Sequence, residues 1–219
     1  MEWPLLAELS DEDRRRFLAI TRRRRFAKHE VVFHDDDPGE SLHLIDKGRF
    51  TVRTTTRSGD TIMLTVLGPG GFFGELALVG GPDRRAATVT ALEPAETMSV
   101  GRADFERLRR VYSSVDRVLV TALAAEVRRL SALIAEMLYV PAETRVLLRL
   151  LAVSELWGGA SPGLFVPLTQ EDLAALAGTT RPTANRTLRQ AEDAGLLVLE
   201  RGRIELVDPV GLGALARAP

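Results

Sequence analysis

The 219-residue chain has no cysteine. Disulfides, thiolate zinc sites, cysteine nucleophiles and cysteine-ligated iron–sulfur clusters are thereby excluded, and the composition suits a reducing, cytoplasmic setting. Lysine is nearly missing as well: only Lys28 and Lys47 stand beside the arginines among 29 basic residues. Neither sign of charge is in excess, because 30 acidic residues bring the net charge to −1. Whole-chain charge therefore marks neither a nucleic-acid coat protein nor a disordered acidic tail. No apolar run approaches the roughly 20 residues needed to cross a bilayer. The first residues carry no basic start followed by an apolar stretch, so no signal peptide and no membrane partner are expected. Histidine is scarce too, and His29, His34 and His43 make no haem or metal motif; they read as surface or turn residues, and no metal site is expected. What remains is an apolar fraction of 45%, ordinary for a folded protein with a sizeable core.

Three textures follow one another, suggesting domains at 1–112, 113–140 and 141–219. From about residue 26 to 112, short β-type runs alternate with turn signals. VVF (31–33), SLHLI (41–45), FTVRTT (50–55), TIMLTVL (61–67) and ATVTAL (87–92) are separated by DDDPGE, DKG, RSGD, GPGG and VGGPD. Short strands at such spacing predict a barrel or sandwich. A charged helix precedes them, SDEDRRRFLAI, with Ser10 as N-cap and acidic residues in its first turn. The Arg22–Arg25 run reads as a solvated face.

The second texture is a long helix from about 113 to 138. Val120, Leu123, Val127, Leu130, Ile134 and Met137 recur at alternating spacings of 3 and 4. That is the a/d seam along which two helices wind round one another, so a homodimer is expected. Pro141 then ends the helix.

The third texture opens with a helix, ETRVLLRLLAVSEL. Thr169 and Asp172 next form a capping-box pattern, with Gln170 in the first turn. Leu173, Leu176 and Ala177 give that helix an apolar face, Gly178 closes it, and Thr180 is placed to cap the following helix. There Ala184, Leu188 and Ala191 fall on one face and pack inward. The other face carries Pro182, Thr183, Arg186 and Arg189, with Arg181 and Asn185 at its margins. Two helices joined by a glycine turn make a helix-turn-helix, and LVLERGRIELV reads as a hairpin, the wing, turning at Arg201 and Gly202. Arginine can bond guanine O6 and N7 bidentately and asparagine can read adenine, so double-stranded DNA is the expected partner. Residues 141–219 hold eight arginines against nine acidic residues. Affinity must therefore come from local placement and from having two copies.

The most informative stretch is GPGGFFGELALVGGPDRRAATVTA. Its glycines, Gly74 among them, permit close backbone approach, and a turn of helix through Leu76 and Ala77 aims free amides at an anion. The Glu75 carboxylate suits a sugar hydroxyl, and Arg85 can return across the Gly80-Gly81-Pro82 turn to clamp a phosphate. Glu75 could also serve as the base of a phosphate-ester enzyme. No second acid, metal-ligand cluster or nucleophile–histidine pair accompanies it, so no catalytic activity is expected.

FGELAL…RRAATVTAL resembles the phosphate-binding cassette of cyclic-nucleotide-binding domains. Together with the long helix and LTQEDLAALAGTTRPTANRTLR, the chain resembles the CRP/FNR family of bacterial transcription regulators over about residues 10–210. The resemblance implies an α+β architecture: an N-terminal β-roll (a double-stranded β-helix jelly roll) that binds a cyclic nucleotide, a long dimerisation helix, and a C-terminal winged helix-turn-helix. Glu75 then takes the place of the ribose 2′-hydroxyl ligand and Arg85 that of the phosphate ligand, in preference to Arg84. Leu76 and Ala77 amides complete the cradle, and Leu64 lines the pocket. Ala86 follows the arginine where bacterial cAMP receptors often carry a hydroxyl. Leu130-Ser131 stands where cAMP-activated members carry Thr-Ser, so one adenine-directed hydroxyl is lost. The implied effector is cAMP, with cGMP, cyclic di-GMP, another ligand or none as alternatives. No cofactor is required, and RNA polymerase is a candidate partner. In the recognition helix Arg181-Pro182-Thr183-Ala184-Asn185-Arg186 keeps both family arginines, but Pro182 replaces a glutamate that reads cytosine.

Overall fold

A computed structural model describes residues 3–7, 9–57, 59–79 and 83–217; Gly80, Gly81 and Pro82, the turn expected to return Arg85, lie outside them. The chain divides into two compact units, one of Met1–Thr54 with Val66–Arg129 and one of Leu130–Pro219 with Thr55–Thr65.

Two four-stranded sheets precede the long helix. One has the order β1 (Arg22–Phe26), β8 (Ala95–Gly101), β3 (Ser41–Lys47), β6 (Phe72–Phe73); the other runs β2 (Val31–Phe33), β7 (Thr88–Ala91), β4 (Phe50–Thr55), β5 (Thr61–Leu67). β3 pairs antiparallel with β8 and β6, and β7 with β2 and β4. Central strand β3 is buried on both sides, and its residues alternate between two cores. Leu42 and Leu44 join Trp3, Phe17, Phe105, Leu108, Val115 and Leu119, the apolar residues of the N-terminal segment, α1 (Asp11–Ile20), α2 (Arg102–Val111) and the start of α3 (Ser113–Tyr139). Ile45 instead meets Phe26, Phe50, Phe73, Val89 and Ala91 between the sheets. Each buried leucine, isoleucine, valine or phenylalanine among them contributes roughly 1.5–3 kcal/mol on burial.

Ser10 caps α1 by accepting from the Asp13 amide, as its sequence predicts. The Arg22–Arg25 run is solvent-facing but is also a strand, β1, paired with β8. Its charge is balanced from the neighbouring strands: Arg23 bridges Asp46 and Glu96, and Arg25 also reaches Glu96.

The second unit carries α4 (Ala142–Ser154), α5 (Gln170–Ala177), α6 (Arg181–Asp193) and α7 (Pro209–Leu215), with the three-stranded sheet β10 (Leu197–Glu200), β11 (Arg203–Leu206), β9 (Leu164–Val166). Helices α4, α5 and α6 pack on one another. Leu150, Leu173, Ala184, Leu188 and Ala191 are fully or almost fully buried, so α5 and α6 turn the expected faces inward. The capping box at Thr169 and Asp172 is formed, and Gly178 closes α5 in the left-handed region at φ +58°. A Cβ there would lie 2.7 Å from Met137 Cε, so the tight approach also favours glycine. The architecture is α+β, a β-roll unit with a long helix and a winged helix-turn-helix.

No helix among the described residues is long and apolar enough to cross a membrane. Helix α3 is 27 residues long. Val120, Val127, Ile134 and Met137 on it are 65%, 62%, 59% and 44% exposed, and Leu123 and Leu130 are half-buried.

Candidate nucleotide and DNA sites

The glycine-rich stretch is organised by Arg85. This arginine is only 5% exposed, and its guanidinium lies 3.9 Å from the centre of the Phe33 ring. Nη1 donates to the carbonyls of Ser41 (2.8 Å) and Gly74 (3.1 Å), and Nη2 donates to Ser41 Oγ at 3.1 Å. Its Nε is shut off from solvent and has no hydrogen-bond partner among the described residues. A buried donor left unpaired costs about 1–3 kcal/mol, which an arriving acceptor oxygen removes. Burial also pushes the Arg85 pKa down, with Glu75 and Asp37 opposing that shift. Neighbouring Arg84 is exposed and donates to the Asp36 carbonyl.

Gly74 sits at φ +89°, and a Cβ on it would lie 2.5 Å from Arg85 Nη1 and 2.7 Å from the Ser41 carbonyl. Only glycine lets the arginine lie flat against this backbone. Glu75 follows, and its carbonyl accepts from the amides of Leu78 and Val79, winding residues 76–78 into a turn. Among the described residues no backbone carbonyl takes up the Leu76 or Ala77 amides. The Glu75 carboxyl has its pKa raised chiefly by burial, further by Glu126, and against the pull of its own backbone amide and Arg85. A carboxyl held this way is poised to hydrogen-bond a neutral hydroxyl group. Leu76 is 51% exposed, Ala77 is buried and Ala86 is exposed. The first unit thus gathers Gly74, Glu75, Leu76, Ala77, Arg85 and Ala86. Leu64 on β5, and Leu130 and Ser131 on α3, belong to the second unit.

Several supporting residues escape sequence reasoning. Arg102 donates to the carbonyls of Gly39 (2.9 Å) and Ala77 (2.7 Å) and pairs with Asp83 at 2.8 Å, tying the turn to the start of α2. Gly39 must be small, since a Cβ would fall 2.1 Å from that of Ala77. His43 requires a correction: it is neither a surface nor a turn residue but is 5% exposed, stacked on Phe73 with ring centres 5.0 Å apart. On β3 the even positions face the helices, so His43 takes an inward position that reads as apolar. Burial, then the charges of Arg85 and Arg24, hold its pKa down at about 3.

In the second unit, Thr180 caps α6 by accepting from the Thr183 amide, and Pro182 sits in the first turn, where a missing amide costs nothing. Arg181 is exposed and Thr183 partly so. Asn185 donates to Gln170 Oε1, locking the two helices together instead of standing free. Arg186 pairs with Glu143 on α4 at 2.8 Å. Arg145, buried at the junction, donates to the carbonyls of Val140 (2.7 Å), Ala177 (2.9 Å) and Gly178 (3.1 Å), tying the end of α3 to the turn between α5 and α6. A groove of about 240 Å³, lined by residues including Thr169, Gln170, Arg181 and Arg203, lies between the starts of α5 and α6 and the wing.

The family model of the cyclic nucleotide-binding domain matches residues 23–112, and that of the Crp-like helix-turn-helix domain matches residues 132–215. The cyclic AMP receptor protein of Thermus thermophilus is 31% identical over 213 residues, 97% of this chain and 96% of that protein. A CRP-like cAMP-activated global transcriptional regulator of Mycobacterium tuberculosis is 27% identical over 195 residues, covering 88% of this chain and 87% of its own. In structure, the c-di-GMP-responsive global regulator CLP of Xanthomonas campestris superposes with a TM-score of 0.78 at 21% identity, over 90% of this chain and 99% of that one. These findings define a DNA-binding regulator with a cyclic-nucleotide-binding domain. The chain belongs to the CRP/FNR family, whose members are transcription regulators rather than enzymes.

Proposed function

We propose that this chain is a homodimeric regulator that binds cAMP at the Gly74–Ala86 site and couples that binding to recognition of a two-fold-symmetric operator. The domains divide at residues 112/113 and 140/141. The observation that carries the reading is the buried Arg85 guanidinium, with an unpaired Nε, beside a turn whose Leu76 and Ala77 amides have no backbone acceptor among the described residues. A cyclic phosphate supplies the acceptor oxygens, and the Glu75 carboxyl takes a ribose hydroxyl. Ala86 leaves adenine compatible.

The seam of α3 supports the dimer: Val120, Val127 and Ile134 are more than half exposed on one chain, an apolar stripe that a second α3 covers. In the dimer the two α6 helices enter successive major grooves about 34 Å apart. Thr169, Gln170, Thr180, Arg181, Thr183 and Arg186 face the duplex, and Asn185 joins them if its bond to Gln170 opens. The nucleotide shifts the dimer toward its DNA-competent pose only by binding that pose more tightly. A second reading, the same fold answering another cyclic nucleotide or none, is favoured by Leu130, which lacks a hydroxyl at the adenine end.

Calorimetry on Arg85→Ala tests the site. A charge-assisted hydrogen bond is worth roughly 1.5–3 kcal/mol, so cAMP affinity falls about tenfold or more. Unchanged affinity rejects the proposed cradle. Ile134→Asp, sedimented beside wild type, tests the seam, and a dimer that survives it removes α3 from the interface.

A further inference from the structure

Arg85 does not stand alone in the roll. Its Nη2 donates to Ser41 Oγ (3.1 Å), Ser41 Oγ lies 3.1 Å from His43 Nε2, and His43 Nδ1 lies 3.0 Å from Thr97 Oγ1. Thr97 on β8 is fully buried. A chain of four polar side chains therefore runs from the guanidinium through β3 into β8, inside a protein where such groups are costly unless paired. Aromatic rings fix the same chain. Phe26, Phe33 and Phe73 surround the His43 ring, and Phe33 also presents its face to the guanidinium.

We propose that Ser41 and His43 are positioning residues for the nucleotide's phosphate, acting through Arg85. The inference rests on the reading of Arg85 as the phosphate ligand. Ser41 accepts from Nη2 and directs its own proton to His43 Nε2, while His43 Nδ1–H donates to Thr97; in this arrangement each of these donors meets an acceptor. Ser41 also accepts from Nη1 through its carbonyl, so two oxygens of one residue hold one edge of the planar guanidinium. Of the five guanidinium hydrogens, three are spent on Ser41 and Gly74. The remaining two, on Nε and Nη2, are neighbours along one side of the group, the pairing that suits a phosphate. A neutral imidazole serves this chain, because a second positive charge beside Arg85 would push the guanidinium away. Residues locked by packing and by hydrogen bonds behind a ligand-binding group set its precision.

The test is calorimetry on the full chain with cAMP, cGMP and the Sp and Rp phosphorothioate diastereomers of cAMP. The proteins are wild type, Ser41→Ala, Ser41→Thr and His43→Phe, the last of which keeps a ring between the phenylalanines. Ser41→Ala and His43→Phe should each weaken cAMP about tenfold. They should also change the Sp-to-Rp affinity ratio at least about threefold while leaving the cAMP-to-cGMP ratio unchanged, and Ser41→Thr, which keeps the hydroxyl, should restore both. Equal losses for both diastereomers, or wild-type affinity in Ser41→Ala, overturn the positioning role and leave the Arg85 site standing. Failure of the wild-type chain to bind cAMP or cGMP overturns the site itself, and with it the role given to Ser41 and His43.

Discussion

Replacing Arg145 by methionine removes every donor of a buried guanidinium while keeping an unbranched apolar stem. The native side chain gives three bonds of 2.7–3.1 Å to the carbonyls of Val140, Ala177 and Gly178. These acceptors lie at the ends of α3 and α5, where helix carbonyls have no partner within the helix. Bonds to a charged donor are worth about 1.5–3 kcal/mol each. The sum is not realised, because methionine no longer carries the cost of burying a charge and water can reach part of the junction. Breaking one side of a buried charged network costs about 3–5 kcal/mol, and the lower end, near 3 kcal/mol, is the expected loss. At about 2–4 °C per kcal/mol for a chain of this size, melting falls by roughly 6–12 °C. Urea unfolding followed by Trp157 fluorescence in a Trp3→Phe background reports this unit directly. A loss below about 1 kcal/mol would refute the view that Arg145 ties the long helix to the helix-turn-helix.

Three further outcomes are expected. Glu75 has its pKa raised by burial above the ordinary 4.5, so the unfolded chain releases this proton first. Its contribution to stability is therefore greatest below pH 4.5 and falls as pH rises through the raised value; Glu75→Gln should flatten that decline in a melting series while weakening the nucleotide. Glu143→Gln frees Arg186 from its partner on α4 and should raise operator affinity about two- to threefold in fluorescence anisotropy, the effect shrinking with salt. Gly74→Ala places a side chain in a left-handed conformation and against Arg85, so chemical denaturation should show a loss of about 1–3 kcal/mol, with cAMP binding reduced in the same protein.

The elements legible in the sequence are those whose signals are local. Ser10, the Thr169–Asp172 box, Gly178 and Thr180 mark helix ends because caps are made within a few residues. Helix α3 shows because its apolar period repeats along the chain. What escapes depends on partners distant in sequence. Arg22–Phe26 has no apolar alternation, and it is a strand because β8 and the acids Asp46 and Glu96 receive it. Helix α2 escapes inside a region rich in β-type runs, since Arg102–Val111 turns only Phe105 and Leu108 fully inward. His43 misleads because an imidazole at an inward position looks like an error until Ser41, Thr97 and the phenylalanines are in place. At the candidate site, Gly74, Glu75 and Arg85 are visible as a motif, whereas Arg102 and Ser41 act through contacts with carbonyls and a guanidinium that no sequence spacing encodes.

The proposed function requires coupling between nucleotide binding in the β-roll and duplex recognition by α6. Its most direct test titrates a two-fold-symmetric operator with the dimer, without and with saturating cAMP, after calorimetry has established that cAMP binds. Allosteric coupling of about 1–3 kcal/mol predicts operator binding some 5- to 150-fold tighter with the nucleotide present, and nucleotide affinity raised by the same factor on DNA. Identical operator affinity in the two titrations, with cAMP demonstrably bound, contradicts it.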